Sequence, residues 1–186
     1  NCEEAIEKTI LKYGKLDVLI NNAGGNDFLD VDNTTPQQFR VSLERNLVHY
    51  YSMSHYAWPY LKKTRGNIVF IGSKVALAGE GKTTAYAAAK AGCIGLTREL
   101  ATKSASEDLG IRVNCVLPGD VDTPRYEAFI KRTYPDPIEG RKIQGLRIPF
   151  EKRPTKPEEL AYATVFLASN KLSGHTTGQL FSPDGG

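Results

Sequence analysis

The stretch Lys15-Leu16-Asp17-Val18-Leu19-Ile20-Asn21-Asn22-Ala23-Gly24-Gly25 decides how this chain is read. Val18, Leu19 and Ile20 are consecutive apolar residues, the pattern of a short strand buried on both faces. The strand, placed over Leu16 to Asn21, runs into Asn22-Ala23-Gly24-Gly25, small and polar residues suited to a turn. Upstream, Cys2 to Tyr13 carries Ala5, Ile6, Ile10 and Leu11 at helical spacing, and Gly14 stops it. Helix, buried strand and tight turn in that order suggest a parallel sheet with crossover helices.

The order continues downstream. Thr35-Pro36-Gln37-Gln38 has the residues of a helix start: a capping threonine, a proline at the first helical position and a glutamine that can close a capping box. The spacing predicts a helix to about Lys63, kinked or broken near Trp58 by Pro59. Asn67 to Ile71 is a second strand. Thr84 to about Ala105 is a long helix whose Ala85, Ala87, Ala88, Ala89, Ala91, Gly92 and Gly95 let another backbone come close. Ile111 to Leu117 is a third strand. Residues 123–154 are polar and proline-containing, with a short helical pattern from Arg125 to Arg132. Thr155 and Glu158 suggest a capping box for a helix through about Ala168, and Gly178 to Ser182 is a last short strand. The fold class is α/β, one domain with a parallel sheet covered on both faces. Ligands on such sheets lie beyond the carboxyl ends of the strands. That directs attention to Asn22–Gly25, Gly72–Ser73 and Pro118–Thr123.

The bulk properties exclude several classes. With 40% apolar and 24% charged residues, the chain has an ordinary globular composition. A net charge of +3 is too weak for a nucleic-acid binder. No apolar run has the length of a membrane span. Cys2, Cys93 and Cys115 are odd in number and lack a Cys-x-x-Cys, which suits free thiols in a reducing, cytoplasmic setting. His49, His55 and His175 have no metal-ligand spacing, so no metal site is expected.

Tyr86 and Lys90 are four residues apart on the long helix, hence on one face. Ser73 follows a strand end, thirteen residues before Tyr86. Interconverting an alcohol and a carbonyl by hydride transfer needs a proton donor or acceptor at the oxygen. A free tyrosine, with a pKa of about 10, is a poor base at neutral pH, and a neighbouring ammonium lowers that value. A serine hydroxyl can hold the same oxygen.

With these residues stand Asn21-Asn22-Ala23-Gly24 after a strand, Asn46 on a helix, Ile71-Gly72-Ser73, and Tyr86-Ala87-Ala88-Ala89-Lys90. Further on come Arg112-Val113-Asn114-Cys115-Val116-Leu117-Pro118-Gly119-Asp120-Val121-Asp122-Thr123-Pro124, then Thr177-Gly178-Gln179 and Asp184-Gly185-Gly186. In this order and spacing the chain resembles the short-chain dehydrogenase/reductase family over nearly its whole length. The resemblance implies a Rossmann-like doubly wound fold using NAD or NADP. It makes Tyr86 the general acid/base, and gives Lys90 the tasks of lowering its pKa and binding the nicotinamide ribose. Ser73 orients the substrate oxygen, and Asn46 holds a water in the proton relay. Asn22, Ala23 and Gly24 border the adenosine half of the cofactor; Pro118, Gly119, Val121 and Thr123 border the nicotinamide. Asn114 more simply pins strands.

The family's first glycine-rich turn has no counterpart here. The resemblance therefore implies that the N-terminal strands of the fold, roughly 65 residues with their helices, are missing from these residues. The strands present would be the last four of the order 3-2-1-4-5-6-7, leaving Leu16 to Asn21 as an exposed apolar edge. The chain alone is then expected to bind cofactor poorly and to be inactive. NAD and NADP are told apart after the second strand, which is outside these residues.

The segment after Thr123 is mixed in polarity and suits a polar small-molecule substrate. Together with Gly174-His175-Thr176-Thr177-Gly178-Gln179, it resembles the L-fucose dehydrogenase-like branch, which implies oxidation of an aldose at its anomeric hydroxyl. Glu80, in the loop before the catalytic helix, is a candidate partner for a sugar hydroxyl; a solvated loop charge is the alternative of equal standing. A 3-oxoacyl reductase is the alternative within the family. From other classes come a nucleotide triphosphatase, because residues 76–83 match a relaxed phosphate-loop pattern, and a non-catalytic scaffold. The family implies a homo-oligomer, dimer or tetramer, through the long helices, with Tyr50, Tyr51 and Trp58 as interface candidates; packing in the core is the simpler fate for them.

Overall fold

The computed structural model describes residues 1–186. Four parallel strands, β1 (Val18–Asn21), β2 (Asn67–Ile71), β3 (Arg112–Val116) and β4 (Leu180–Phe181), form one sheet in the order β1-β2-β3-β4. β1 is an edge, with Ile20 47% exposed.

Every residue of β2 and β3 is buried. Alternation along each strand sends its side chains to two different layers. Ile68, Phe70, Val113 and Cys115 pack with Leu19 beneath α1 (Cys2–Tyr13), α3 (His49–Thr64) and α4 (Thr84–Ser106). Val69, Ile71 and Val116 face α7 (Pro157–Ala168) through Leu167. Each such fully buried side chain contributes about 1.5–3 kcal/mol. The Asn114 side chain is paired at both ends: it donates to the Thr176 carbonyl at 2.8 Å and accepts from the Gln179 N–H at 3.0 Å, pinning β3 to the last segment.

The expected capping box at Thr35 forms. Gln38 N–H donates to Thr35 Oγ1 at 3.2 Å, and Thr35 N–H to Gln38 Oε1 at 2.9 Å. The helix it opens is not one rod, however. α2 (Pro36–Leu43) passes through a π-helical turn, Glu44–Val48, into α3. The predicted break at Pro59 does not occur: α3 runs on to Thr64. Both Pro59 and His55, four residues earlier, face solvent, so water can take the carbonyl that the missing N–H leaves free.

Two further expectations are corrected. Residues 123–154 hold two helices, α5 (Pro124–Thr133) and α6 (Pro137–Leu146), the second capped by Asp136, whose Oδ1 accepts from the Ile138 N–H at 2.8 Å. Thr155 caps nothing; it donates to the Asp120 carbonyl through its N–H and to the Pro183 carbonyl through its hydroxyl, both at 2.9 Å. α7 starts after Lys156, whose N–H donates to Glu159 at 2.7 Å. Arg153 forks onto Glu159 at 2.8 and 2.7 Å and holds its pKa down to about 2 from 4.5. The folded value lies below the unfolded one, so this stabilisation is complete above about pH 4.5 and fades toward pH 2. Glu159→Gln should lower the melting temperature at pH 7, and the gap to the unaltered protein should close as the pH falls through that window.

Candidate active site

An open cleft of about 360 Å³ lies beyond the carboxyl ends of β1, β2 and β3. The chain is fixed there strand by strand. After β2, the Gly72 and Lys74 N–H groups donate to the Val116 and Pro118 carbonyls at 2.7 and 2.9 Å. After β3, the Val121 segment pairs with Thr155. Of the residues singled out by sequence, Asn22, Gly24, Ser73, Glu80, Tyr86, Lys90, Pro118, Gly119, Val121 and Thr123 all line this cleft. Ala23 and Asn46 do not.

Asn46 is fully buried in the π-helical turn, behind the turn that follows β1. Its Oδ1 accepts from the Gly25 N–H at 2.8 Å and its Nδ2 donates to the Ser42 carbonyl at 3.0 Å. Gly24 has φ +138°, and a Cβ there would lie 2.7 Å from Asn46 Oδ1. The side chain thus fastens the glycine turn in place rather than facing the cleft. Asn46→Ala should cost about 1–3 kcal/mol, the penalty for leaving the buried partners unpaired, read as a lower denaturant midpoint.

Ser73 leaves β2 extended and caps the short turn Lys74–Ala76, accepting from the Val75 N–H at 3.4 Å. Tyr86 and Lys90 stand one turn apart on α4, whose first N–H, at Thr84, donates to the Leu29 carbonyl at 2.9 Å. α4 packs against the π-helical turn at Gly92, where a Cβ would come within 2.5 Å of Leu47. Gly92 therefore serves the close approach expected of the small residues, whereas Gly95 has nothing within 4 Å of where its Cβ would lie.

Burial pushes the Tyr86 phenol above its ordinary value, while the Ser73 hydroxyl and the Arg125 guanidinium pull it back. Lys90 stands beside the phenol without a hydrogen bond to it. Its Nζ lies 5.6 Å from the Tyr86 ring centre and donates to the Ile71 carbonyl at 2.7 Å and to the Tyr50 hydroxyl at 3.2 Å. Burial in turn lowers the Lys90 pKa.

Sequence reasoning missed an aromatic part of the cleft wall. Phe28 stacks on Phe129 at 6.1 Å, and the Arg132 guanidinium sits 4.4 Å from the Phe28 ring centre. Arg125 bonds the Asn26 carbonyl, closing α5 onto the loop after β1. Phe28 and Phe129 lie 101 positions apart, and nothing local in the sequence signals their meeting. Glu80 lies 3.9 Å from Lys74, both on the cleft. Lys82, the lysine of the phosphate-loop-like segment, is exposed and lies outside the cleft lining. Tyr50 is wholly buried, a core residue rather than an interface one, whereas Tyr51 is exposed.

Comparison with known proteins agrees with this geometry. A family model described as enoyl-(acyl carrier protein) reductase matches residues 1–186. The chain is 37% identical over 185 residues to the 3-oxoacyl-(acyl-carrier-protein) reductase FabG of Thermotoga maritima, covering 99% of this chain and 71% of that protein. It is 37% identical over 165 residues to the L-fucose dehydrogenase of Bos taurus, covering 88% of this chain and 60% of that protein. Among solved structures, that of Cj0485 dehydrogenase superposes with a TM-score of 0.95 at 43% identity, covering 100% of this chain and 70% of that one.

Proposed function

Because the chain belongs to the short-chain dehydrogenase/reductase family of oxidoreductases, we propose that it carries the catalytic and substrate-binding part of an NAD(P)-dependent alcohol–carbonyl oxidoreductase, acting on a polar substrate such as an aldose of the L-fucose kind. The observation that carries this reading is the convergence of Ser73, Tyr86 and Lys90 on one cleft at the strand ends.

The cleft suits a nicotinamide cofactor. Lys90 is a buried ammonium with one donor to spare beyond its two protein bonds, a fit for a ribose hydroxyl. Pro118, Gly119 and Val121 give the neighbouring wall an apolar character and Thr123 adds a hydroxyl, while Asn22 and Gly24 line the end nearest β1. The chemistry such a cofactor supplies when bound is hydride transfer. Tyr86, a phenol that is protonated at neutral pH and that burial holds further in that form, donates its proton to the oxygen of a carbonyl being reduced, and its phenolate accepts one from an alcohol being oxidised. Ser73, beside it, holds that oxygen in line.

Polarity supports the substrate class: Lys74, Glu80, Asp120 and Arg125 line the cleft together with the aromatic wall of Phe28, Tyr126 and Phe129. Carboxylates that accept from hydroxyls beside aromatic faces suit a sugar better than a long acyl chain. The likeness to an L-fucose dehydrogenase points the same way. The likeness to FabG favours a second reading, a 3-oxoacyl reductase. Assembly into a homo-oligomer through α3 and α4 belongs to the same proposal. The test is to offer the full-length protein L-fucose with NAD⁺ and NADP⁺, and a 3-oxoacyl thioester with NADH and NADPH, while following nicotinamide absorbance. Sugar-dependent reduction of the cofactor is expected; turnover of the thioester alone would favour the second reading.

A further inference from the structure

Tyr50 enters none of the roles above, yet its hydroxyl is the inner neighbour of Lys90. The residue is 0% exposed, its ring stacked on Phe70 at 5.7 Å and 6°. A phenylalanine would fill that space as well, and a buried hydroxyl costs free energy unless it is paired. This one is paired twice. It donates to the Ile71 carbonyl at 3.1 Å and accepts from Lys90 Nζ at 3.2 Å. The same ammonium donates to the same carbonyl at 2.7 Å, closing a three-membered cluster at the end of β2. It also lies over the Tyr50 ring, 4.8 Å from its centre. No carboxylate pairs with this cation. Besides Tyr50, the titratable groups near it are Tyr86 and Cys93 on its own helix and Cys115 on β3. A buried cation without an anionic partner depends on such neutral acceptors.

Local structure explains why Tyr50, and not its neighbour, is there. The π-helical turn Glu44–Val48 inserts one residue into the helix, which rotates all that follows by about 100°. With that shift Tyr50 takes the direction toward the sheet that His49 would otherwise have, and Tyr51 is 52% exposed.

We propose that Tyr50 is a positioning residue, whose buried hydroxyl, with the Ile71 carbonyl, fixes the Lys90 ammonium at the floor of the cleft and directs its remaining donor toward cofactor and Tyr86. The catalytic half of this statement rests on the function proposed above; the seating of Lys90 does not. Tyr50→Phe keeps the ring and its stacking and removes only the hydroxyl. In the full-length protein it should lower kcat about tenfold, with KM for the sugar little changed and the melting temperature close to that of the unaltered protein.

A second readout needs no turnover. In protein labelled with ¹⁵N-lysine, the Lys90 Nζ signal, identified by its loss in Lys90→Met, should show slow proton exchange that Tyr50→Phe makes fast. An Nζ signal unmoved by Tyr50→Phe overturns the proposal, and so does a moved signal with unchanged kcat. A moved signal in a protein that turns over no alcohol or carbonyl overturns the catalytic half and the functional reading with it, leaving only the seating of Lys90.

Discussion

Tyr86→Phe should reduce kcat for alcohol oxidation or carbonyl reduction by about 10²–10⁴-fold, the range that a positioned acid or base supplies. The phenol is the one acid in the cleft adjoining both Ser73 and Lys90, on a helix start tied to the loop after β1 through the Thr84 N–H. Phenylalanine keeps the ring, so folding and KM should change little, and steady-state kinetics separates the two effects. Equal loss in both reaction directions is expected, because one group gives the proton and takes it back. A variant that keeps a tenth or more of the activity would remove Tyr86 from the role.

The largest loss of stability is expected from Phe70→Ala, at about 3–5 kcal/mol. Phe70 is central in β2, fully buried, with Tyr50 stacked on its ring. Its removal leaves a cavity between β2 and α3 that a parallel strand paired on both sides cannot collapse to fill. Denaturant unfolding should show a lower midpoint with an unchanged slope. Tyr50 loses its support in the same change, so activity of the folded fraction should also drop. Leu11→Ala offers the contrast: that side chain is 89% exposed, and its loss should leave the midpoint nearly unmoved.

Much of this architecture can be read from local pattern. Val18-Leu19-Ile20 and Ile68-Val69-Phe70-Ile71 both mark strands; the structure buries the second run between α1, α3 and α4 on one side and α7 on the other, but of the first only Leu19, because β1 lies at the sheet edge and Ile20 is 47% exposed. The Tyr86–Lys90 spacing fixes their shared face because a helix leaves no other arrangement. The Asn114 side chain joins β3 to the last segment, as its place within an apolar strand suggests.

What the sequence hid depends on contacts far apart in the chain or on a subtle change of helical geometry. Nothing in Glu44-Arg45-Asn46-Leu47-Val48 announces a π-helical turn, yet that turn buries Asn46 and points it at Gly25, 21 positions away. It also turns Tyr50 rather than His49 toward Lys90. The spacing of Tyr86 and Lys90 suggested direct electrostatic help, but spacing along a helix says nothing of other partners. The Ile71 carbonyl and the Tyr50 hydroxyl reach the ammonium from β2 and α3, and burial then dominates the tyrosine. α6 was hidden because its signal is an N-terminal one, Asp136-Pro137, and only later residues show its buried face: Gly140, Gln144 and Gly145 carry little apolar pattern.

The pH dependence of kcat for sugar oxidation, measured side by side for the unaltered protein and Tyr86→Phe, tests the central claim most directly. The buried phenol titrates above its ordinary value of about 10, and its ionised form is the one that accepts the proton. The rate of the unaltered protein should therefore climb steadily across the neutral and alkaline range without levelling off below about pH 10, and the residual rate of Tyr86→Phe should lack that climb. A flat profile, or the same climb in both proteins, would contradict the assignment of Tyr86 as the group that moves the proton.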